Sequence, residues 1–170
     1  SCAARQLEEV TFRRNTIPVQ ELFDAAGKYF RKVMKNRTEK VELIIEPMEA
    51  KVIGDVNQLR FLFENLIDEA LAVREEGVIR LQARKDNEYI RFLFTDTRRE
   101  KSVTELNQLF YPNLARMTSG EKGELRGTEY LICKQIIRDH DEFAGRRGCR
   151  INAEPAEGGG FTVYFTIPRR

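Results

Sequence analysis

The sequence predicts an α+β fold: a two-layer α/β sandwich whose mixed sheet carries about three longer helices packed on one face. Three observations predict it. Strand-like stretches outnumber helical ones in the second half of the chain. They come in pairs joined by turn residues, 78–84 with 89–95 and 149–153 with 161–167. Three longer stretches with apolar residues at three- and four-residue steps lie among them. A chain of 170 residues is long enough to bury one core, and it contains no internal repeat.

Residues 1–16 read as a linker from an upstream segment, and residues 17–170 as the domain. Within the linker, residues 6–12 fit a helix tail or a short strand. The first helix, 19–37, has Val19, Leu22, Phe23, Ala26, Phe30, Val33 and Met34 on its apolar face. Residues 41–46 form a strand, and Pro47 turns the chain into a second strand at 51–54. A second helix follows at 55–76. Asp55 is its N-cap, and Leu59, Leu62, Leu66, Ala70 and Val73 form its stripe. Arg60, Glu64, Asp68 and Glu75 take the opposite face, Asn65 and Glu69 share one flank, and Gly77 ends the helix. Residues 78–84 and 89–95 form a hairpin around 85–88. A short helix at 103–109 closes on Phe110, Tyr111 and Pro112. Residues 113–126 lack periodicity and read as a loop or lid. The last helix, 128–139, turns Tyr130, Leu131, Ile132, Ile136 and Ile137 inward. A charged loop spans 140–148, and the strands 149–153 and 161–167 are joined by Gly158, Gly159 and Gly160.

Composition narrows the function. The chain has 29 basic and 27 acidic side chains, a net charge of +2, so overall charge gives no case for a nucleic-acid or anionic-membrane partner. No apolar run approaches bilayer length, and no signal-peptide core opens the chain. Cys2, Cys133 and Cys149 lack a metal-binding spacing and read as reduced thiols, Cys133 in the core and Cys2 in an exposed tail.

The order of motifs resembles the C-terminal ATP-binding domain of sensor histidine kinases. That domain belongs to the histidine-kinase-like ATPase (GHKL) group, with gyrase, the Hsp90 chaperones and MutL. The resemblance runs from about residue 17 to 168. Gly54-Asp55 and the run Asn65-Leu-Ile-Asp-Glu69-Ala70 are similar to the family's strand-Gly-Asp-helix and Asn-Leu-x-x-Asn-Ala pattern. Asp96-Thr-Arg98-Arg-Glu100 falls on its Asp-x-Gly-x-Gly loop. Leu109-Phe110-Tyr-Pro112 falls on its Phe-rich box. Residues 125–137, with Gly127, fall on its Gly-x-Gly-x-Gly loop and following helix. Gly160-Phe-Thr162 opens its terminal strand.

The resemblance implies a Bergerat-type ATP-binding fold and a two-component signalling protein placed in the cytoplasm, as part of a membrane-attached sensor. Its partners would be upstream or partner signalling domains and a response regulator, with no nucleic acid and no direct membrane contact. The nucleotide-binding residues it implies are Asn65, Glu69, Asp96, Arg116, Lys122, Gly127 and Thr162, with Asn65 and Glu69 as the Mg²⁺ positions. The departures converge on that pocket. Glu69 stands where the family has the Mg²⁺-binding Asn, adding charge beside a triphosphate. Arg98, Glu100, Leu125 and Glu129 stand where glycines let backbone approach the nucleotide.

Two functions follow. One is a degenerate, pseudokinase-like regulatory or protein-interaction module with weak or no ATP binding, no cofactor and no catalytic residue, its pocket filled by Glu129, Arg98 or Tyr130. The other is an active ATP-binding domain with a diverged pocket, using ATP and Mg²⁺ to pass the γ-phosphate to a His on an upstream domain.

Blander readings compete for several residues. His140, the only histidine, reads as structural, because acceptor histidines of such kinases lie on a separate upstream hairpin. Asp68 and Glu69 point about 100° apart on a helix, which argues against an acid/base pair. The tract 138–150, with Arg146 and Arg147, and the pair Arg169 and Arg170 fit a partner or phosphate patch, but the scattered Asp139, Asp141 and Glu142 make a plain solvated loop the default reading. Phe61, Phe63, Phe92 and Phe94 read as core.

Overall fold

The computed structural model describes residues 11–112 and 128–170. The expectations for Cys2, Arg116, Lys122, Leu125, Gly127 and the lid at 113–126 lie outside the described residues, as does most of the 6–12 segment.

Alternation builds the sheet. In β4 (Gly77–Asp86), Ile79, Leu81 and Ala83 point inward, and in β5 (Tyr89–Asp96), Ile90, Phe92, Phe94 and Asp96 do the same. The two strands meet at a two-residue turn, where Asn87 takes a left-handed φ of 54°. β7 (Phe161–Pro168) is almost wholly buried and pairs with β5 and with β6 (Ile151–Pro155). β2 (Val41–Ile45) adds parallel to β4, which makes the five-stranded sheet mixed, in the order β2-β4-β5-β7-β6.

Three helices cover one face of this sheet: α1 (Val19–Met34), α2 (Val56–Leu71) and α4 (Thr128–Phe143). The short α3 (Val103–Gln108) starts at a capping box, with the Ser102 hydroxyl accepting from Glu105 N and the Glu105 carboxylate accepting from Ser102 N. Phe23 of α1, Phe63 of α2, Phe92 of β5 and Phe165 of β7 meet at the centre, Phe92 stacked on Phe165 at 4.9 Å.

The α+β sandwich is as expected, but α2 stops at Leu71, short of the expected 76, so Gly77 opens β4 instead of ending the helix, and there are four further differences. A strand β1 (Asn15–Pro18) pairs antiparallel with β3 (Lys51–Gly54) in a separate two-stranded ribbon. Its single buried side chain, Ile17, leaves little periodicity to read. The last helix runs on to Phe143, so His140 is helical rather than in a loop. Phe61 is 49% exposed rather than core, because it lies two positions, about 200° of helix, from the buried Phe63. On α4, Leu131 and Ile132 are half-buried, and Cys133 is fully buried between Tyr130 and Ile136.

Candidate functional site

The sheet and α2 bring the candidate residues to one end of the sandwich. Asp96 ends β5 with 1% of its surface exposed. Its neighbour across the sheet is Phe161, and Gly160 turns in directly beneath it. At Gly160, φ is +84°, and a Cβ would lie 2.1 Å from the Asp96 carbonyl oxygen, so only glycine fits.

Arg98 folds back onto Asp96. Its Nε and Nη2 donate to the two carboxylate oxygens at 2.9 Å each, and its backbone N–H donates to Oδ1 at 3.0 Å. The guanidinium is fully buried. Its remaining N–H groups donate to carbonyls at the end of α2: Nη2 to Ala70 O at 2.6 Å, Nη1 to Glu75 O at 2.8 Å and to Val73 O at 3.3 Å. All five donors of the side chain are therefore used. A helix leaves its last carbonyls unsatisfied, and a cation there suits the helix dipole. One side chain thus neutralises a buried carboxylate and caps the C-terminus of α2.

The flank of α2 supplies Asn65 and Glu69. Asn65 is buried and donates from Nδ2 to Phe61 O at 2.8 Å, a bond back along its own helix. Glu69 is half-buried and hydrogen-bonded to Glu129 in the first turn of α4. Burial first, then the hydrogen bond and the charge of Glu129, push its carboxyl from 4.5 up to about 7, against the opposing pull of Lys101 and Arg99. Glu129 Oε2 and Arg99 Nε are buried without a hydrogen-bond partner. Tyr130 lies beside this pair, buried, with its ring edge-on to Phe110 at 5.6 Å. Its hydroxyl is raised well above its ordinary value, chiefly by burial and then by the charge of Glu69. Thr162 is next to Asp96 in register, but its hydroxyl is 2.8 Å from that of Thr95.

The structure therefore gathers Glu69 and Asp96 around Arg98, Glu129 and Tyr130, with Asn65 one turn away and turned to its own backbone, whereas Thr162, paired with Thr95, is on the opposite face of the sheet from Asp96. Of the three side chains expected to fill the pocket, Arg98 takes Asp96, Glu129 takes Glu69, and Tyr130 closes against Phe110.

His140 forms a separate junction that sequence reasoning did not reach. It is fully buried. Nδ1–H donates to Ile136 O at 2.8 Å, which leaves Nε2 to accept from Asp55 N at 3.1 Å. Burial lowers its pKa. A Cβ on Gly54 would lie 2.8 Å from the His140 ring, so the Gly54-Asp55 pair admits the imidazole as well as starting α2. The Asp55 carboxylate caps α2 through Asn57 N and Gln58 N, and also accepts from Arg13 N. Only the Gly preceding an N-cap hinted at such a close approach.

The family profile described as histidine kinase-, DNA gyrase B-, and HSP90-like ATPase matches residues 54–170. The chain belongs to this family. The signal transduction histidine-protein kinase BaeS of Escherichia coli (strain K12) is 24% identical over 163 residues, covering 94% of this chain and 33% of that protein. The chain thus spans about a third of the relative's length. Among solved structures, mycobacterial sensor histidine kinase MprB superposes with a TM-score of 0.66 at 18% identity, over 93% of this chain and 99% of that one. The nucleotide-free catalytic domain of histidine kinase ThkA superposes at 0.71 and 19%, over 92% and 96%. Full-length ShkA in complex with AMPPNP superposes at 0.72 and 14%, over 95% and 32%. The fold is that of a histidine kinase catalytic domain.

A nucleotide with Mg²⁺ is what this family implies, and among the described residues Asp96 and Glu69, which the resemblance assigns to it, are engaged with Arg98 and Glu129. Arg98 covers Asp96, so its carboxylate has no exposed edge to offer a base. Glu69 and Glu129 bring two carboxyls together at the phosphate end, where they repel a triphosphate. Among the described residues no group of three metal-ligating side chains occurs, and no helix is long and apolar enough to cross a membrane.

Proposed function

We propose that this domain is a regulatory or protein-interaction module of a two-component-type signalling protein, a histidine-kinase-like fold with weak or no ATP binding. The observation that carries the reading is the Arg98–Asp96 pair. A bidentate contact with every guanidinium donor used, wholly out of water, is a closed position rather than a waiting one. The Glu69–Glu129 contact supports it from the phosphate end. In this role the domain passes conformation between upstream signalling domains and a response regulator through its surface, without phosphoryl transfer.

Thermal unfolding with and without Mg-ATP tests the reading. A ligand at a hundred times its dissociation constant stabilises by about 2.7 kcal/mol, which for a domain of this size is several degrees in Tm. The expected result is no shift. Micromolar, Mg²⁺-dependent binding by calorimetry would sink the proposal in favour of an active domain that phosphorylates a His on an upstream segment.

A further inference from the structure

We infer that the β1–β3 ribbon is a docking surface for an acidic peptide segment of a partner protein. The proposal is independent of whether the pocket binds nucleotide. Five exposed cations gather on this ribbon: Arg13, Arg14, Lys51, Arg169 and Arg170. The register brings them together. Lys51 is opposite Pro18, and Arg169 bridges to Val52. Arg170 donates its backbone N–H to Lys51 O and its Nη1 to Thr16 Oγ1 at 3.4 Å. Arg13 and Arg14 lead directly into β1. The strand spans about 13 Å, more than the Debye length of about 8 Å at physiological salt, so neighbouring charges reinforce one another while those at opposite ends act largely independently.

Several surface arginines elsewhere have carboxylate partners, although Arg31, Arg60, Arg80, Arg138 and Arg150, also exposed, have none among the described residues. Arg84 pairs with Glu46, Arg91 with Asp86, Arg146 with Glu88 and Arg147 with Asp141. Among the described residues none of the five ribbon cations forms such a pair. Asp55, beside Arg13, is buried and occupied by its three backbone donors. Among the described residues, the exposed carboxylates nearest in sequence, Glu49 and Glu21, leave the cluster positive.

Charge distribution selects the partner class. Without these five the chain has 24 basic against 27 acidic residues, a remainder of net −3. An extended anionic plane or a long polyanion meets that remainder too and is repelled by it. A short acidic segment lying on the ribbon senses only what is within a Debye length. Four of the five cations are arginines, whose planar forks pair with carboxylates two bonds at a time. Phe143 offers the segment an apolar foothold: it is 40% exposed, and Arg14 lies over Gly145 two residues beyond it.

The test uses the 170-residue chain and a fluorescein-labelled hexaglutamate peptide, followed by anisotropy and amide chemical-shift mapping. The expected result is saturable binding that weakens at least ten-fold from about 50 to about 500 mM salt, with shifts confined to residues around 13–16, 51–53 and 169–170. Arg14→Gln with Lys51→Gln and Arg170→Gln is expected to weaken binding at least ten-fold. Arg146→Gln with Arg147→Gln, which removes paired cations, should leave it unchanged. Circular dichroism confirms that each variant is folded. Equal loss in both variants, or shifts spread over the whole surface, would overturn the proposal. So would tighter binding to phosphatidylglycerol vesicles than to the peptide, which would assign the ribbon to a lipid surface instead.

Discussion

Replacing Arg98 with Met should destabilise the fold by about 3–5 kcal/mol, the cost of leaving a buried charge without its partner. The structure supports the upper half of that range. Asp96 is 1% exposed and loses two charge-assisted bonds, while Ala70, Val73 and Glu75 lose the donor that satisfied the end of α2. Met fills much of the volume, so packing loss stays small. Urea unfolding at neutral pH measures the change, and each kcal/mol corresponds to roughly 2–4 °C in Tm at this size. Asp96→Leu alone should cost a similar amount, because it strands the buried guanidinium. The double variant Asp96→Leu with Arg98→Met should recover a substantial part of the loss, since neither charge remains buried. A single-variant loss below about 1 kcal/mol, or a double variant no better than the sum of the singles, would refute the claim that this pair closes the pocket.

Two further outcomes are expected. A Glu69 carboxyl raised from 4.5 to about 7 binds its proton more tightly in the folded state. Its stabilising term is therefore present in full below pH 4.5 and lost as pH rises through about 7, by up to about 3 kcal/mol. Urea unfolding at pH 5 and pH 8 should show wild type losing more stability over that interval than Glu69→Gln; equal losses would rule the shared proton out. His140 has its pKa lowered by burial, so its term is present above its ordinary value of about 6.5 and lost as pH falls through the lower folded value. His140→Phe should abolish that acid-side loss and cost about 1–3 kcal/mol at neutral pH, because Asp55 N loses its acceptor. An unchanged acid limb would exclude the assignment.

What the sequence revealed followed from periodicity. The stripes of α1 and α2 and the alternation of β4 and β5 predicted most of the residues that are buried, because each of these elements has one face against a common core. β1 was not legible, since a four-residue strand with one buried side chain has no repeat to detect. Phe61 and Phe63 both looked like core because residue type does not record helix phase. At the site, the loss of glycines at 98 and 129 predicted crowding. It did not predict that Arg98 reaches back two residues to Asp96 and also much farther back, to the end of α2. That contact depends on where a helix 25 residues upstream terminates, which only the folded chain determines. The His140 junction was hidden for the same reason: the backbone donor it accepts from lies 85 residues away.

The substitutions at the two ends of the pocket are electrostatically linked, which makes piecemeal reversal uninformative. The arginine brings positive charge to the end where the family resemblance places a neutral base, and the two glutamates bring carboxyls to the end where it places phosphates. Glu69→Asn alone leaves Arg98 on Asp96. Arg98→Gly alone frees Asp96 but leaves Glu69 and Glu129 facing any triphosphate, and it removes the cap on α2. Neither change should produce measurable Mg-ATP affinity by calorimetry. Glu69→Asn combined with glycine at 98, 100, 125 and 129 removes both obstacles, and the donor that Asp96 loses is then available from a bound base. A gain of at least ten-fold over either single change, about 1.4 kcal/mol, is expected for the combined variant if it remains folded by circular dichroism. A folded combined variant with no gain would overturn the proposal that these five side chains keep nucleotide out of the pocket. Recovery by Glu69→Asn alone would show that Arg98 moves aside freely, and the buried pair would then be a resting conformation instead of a plug.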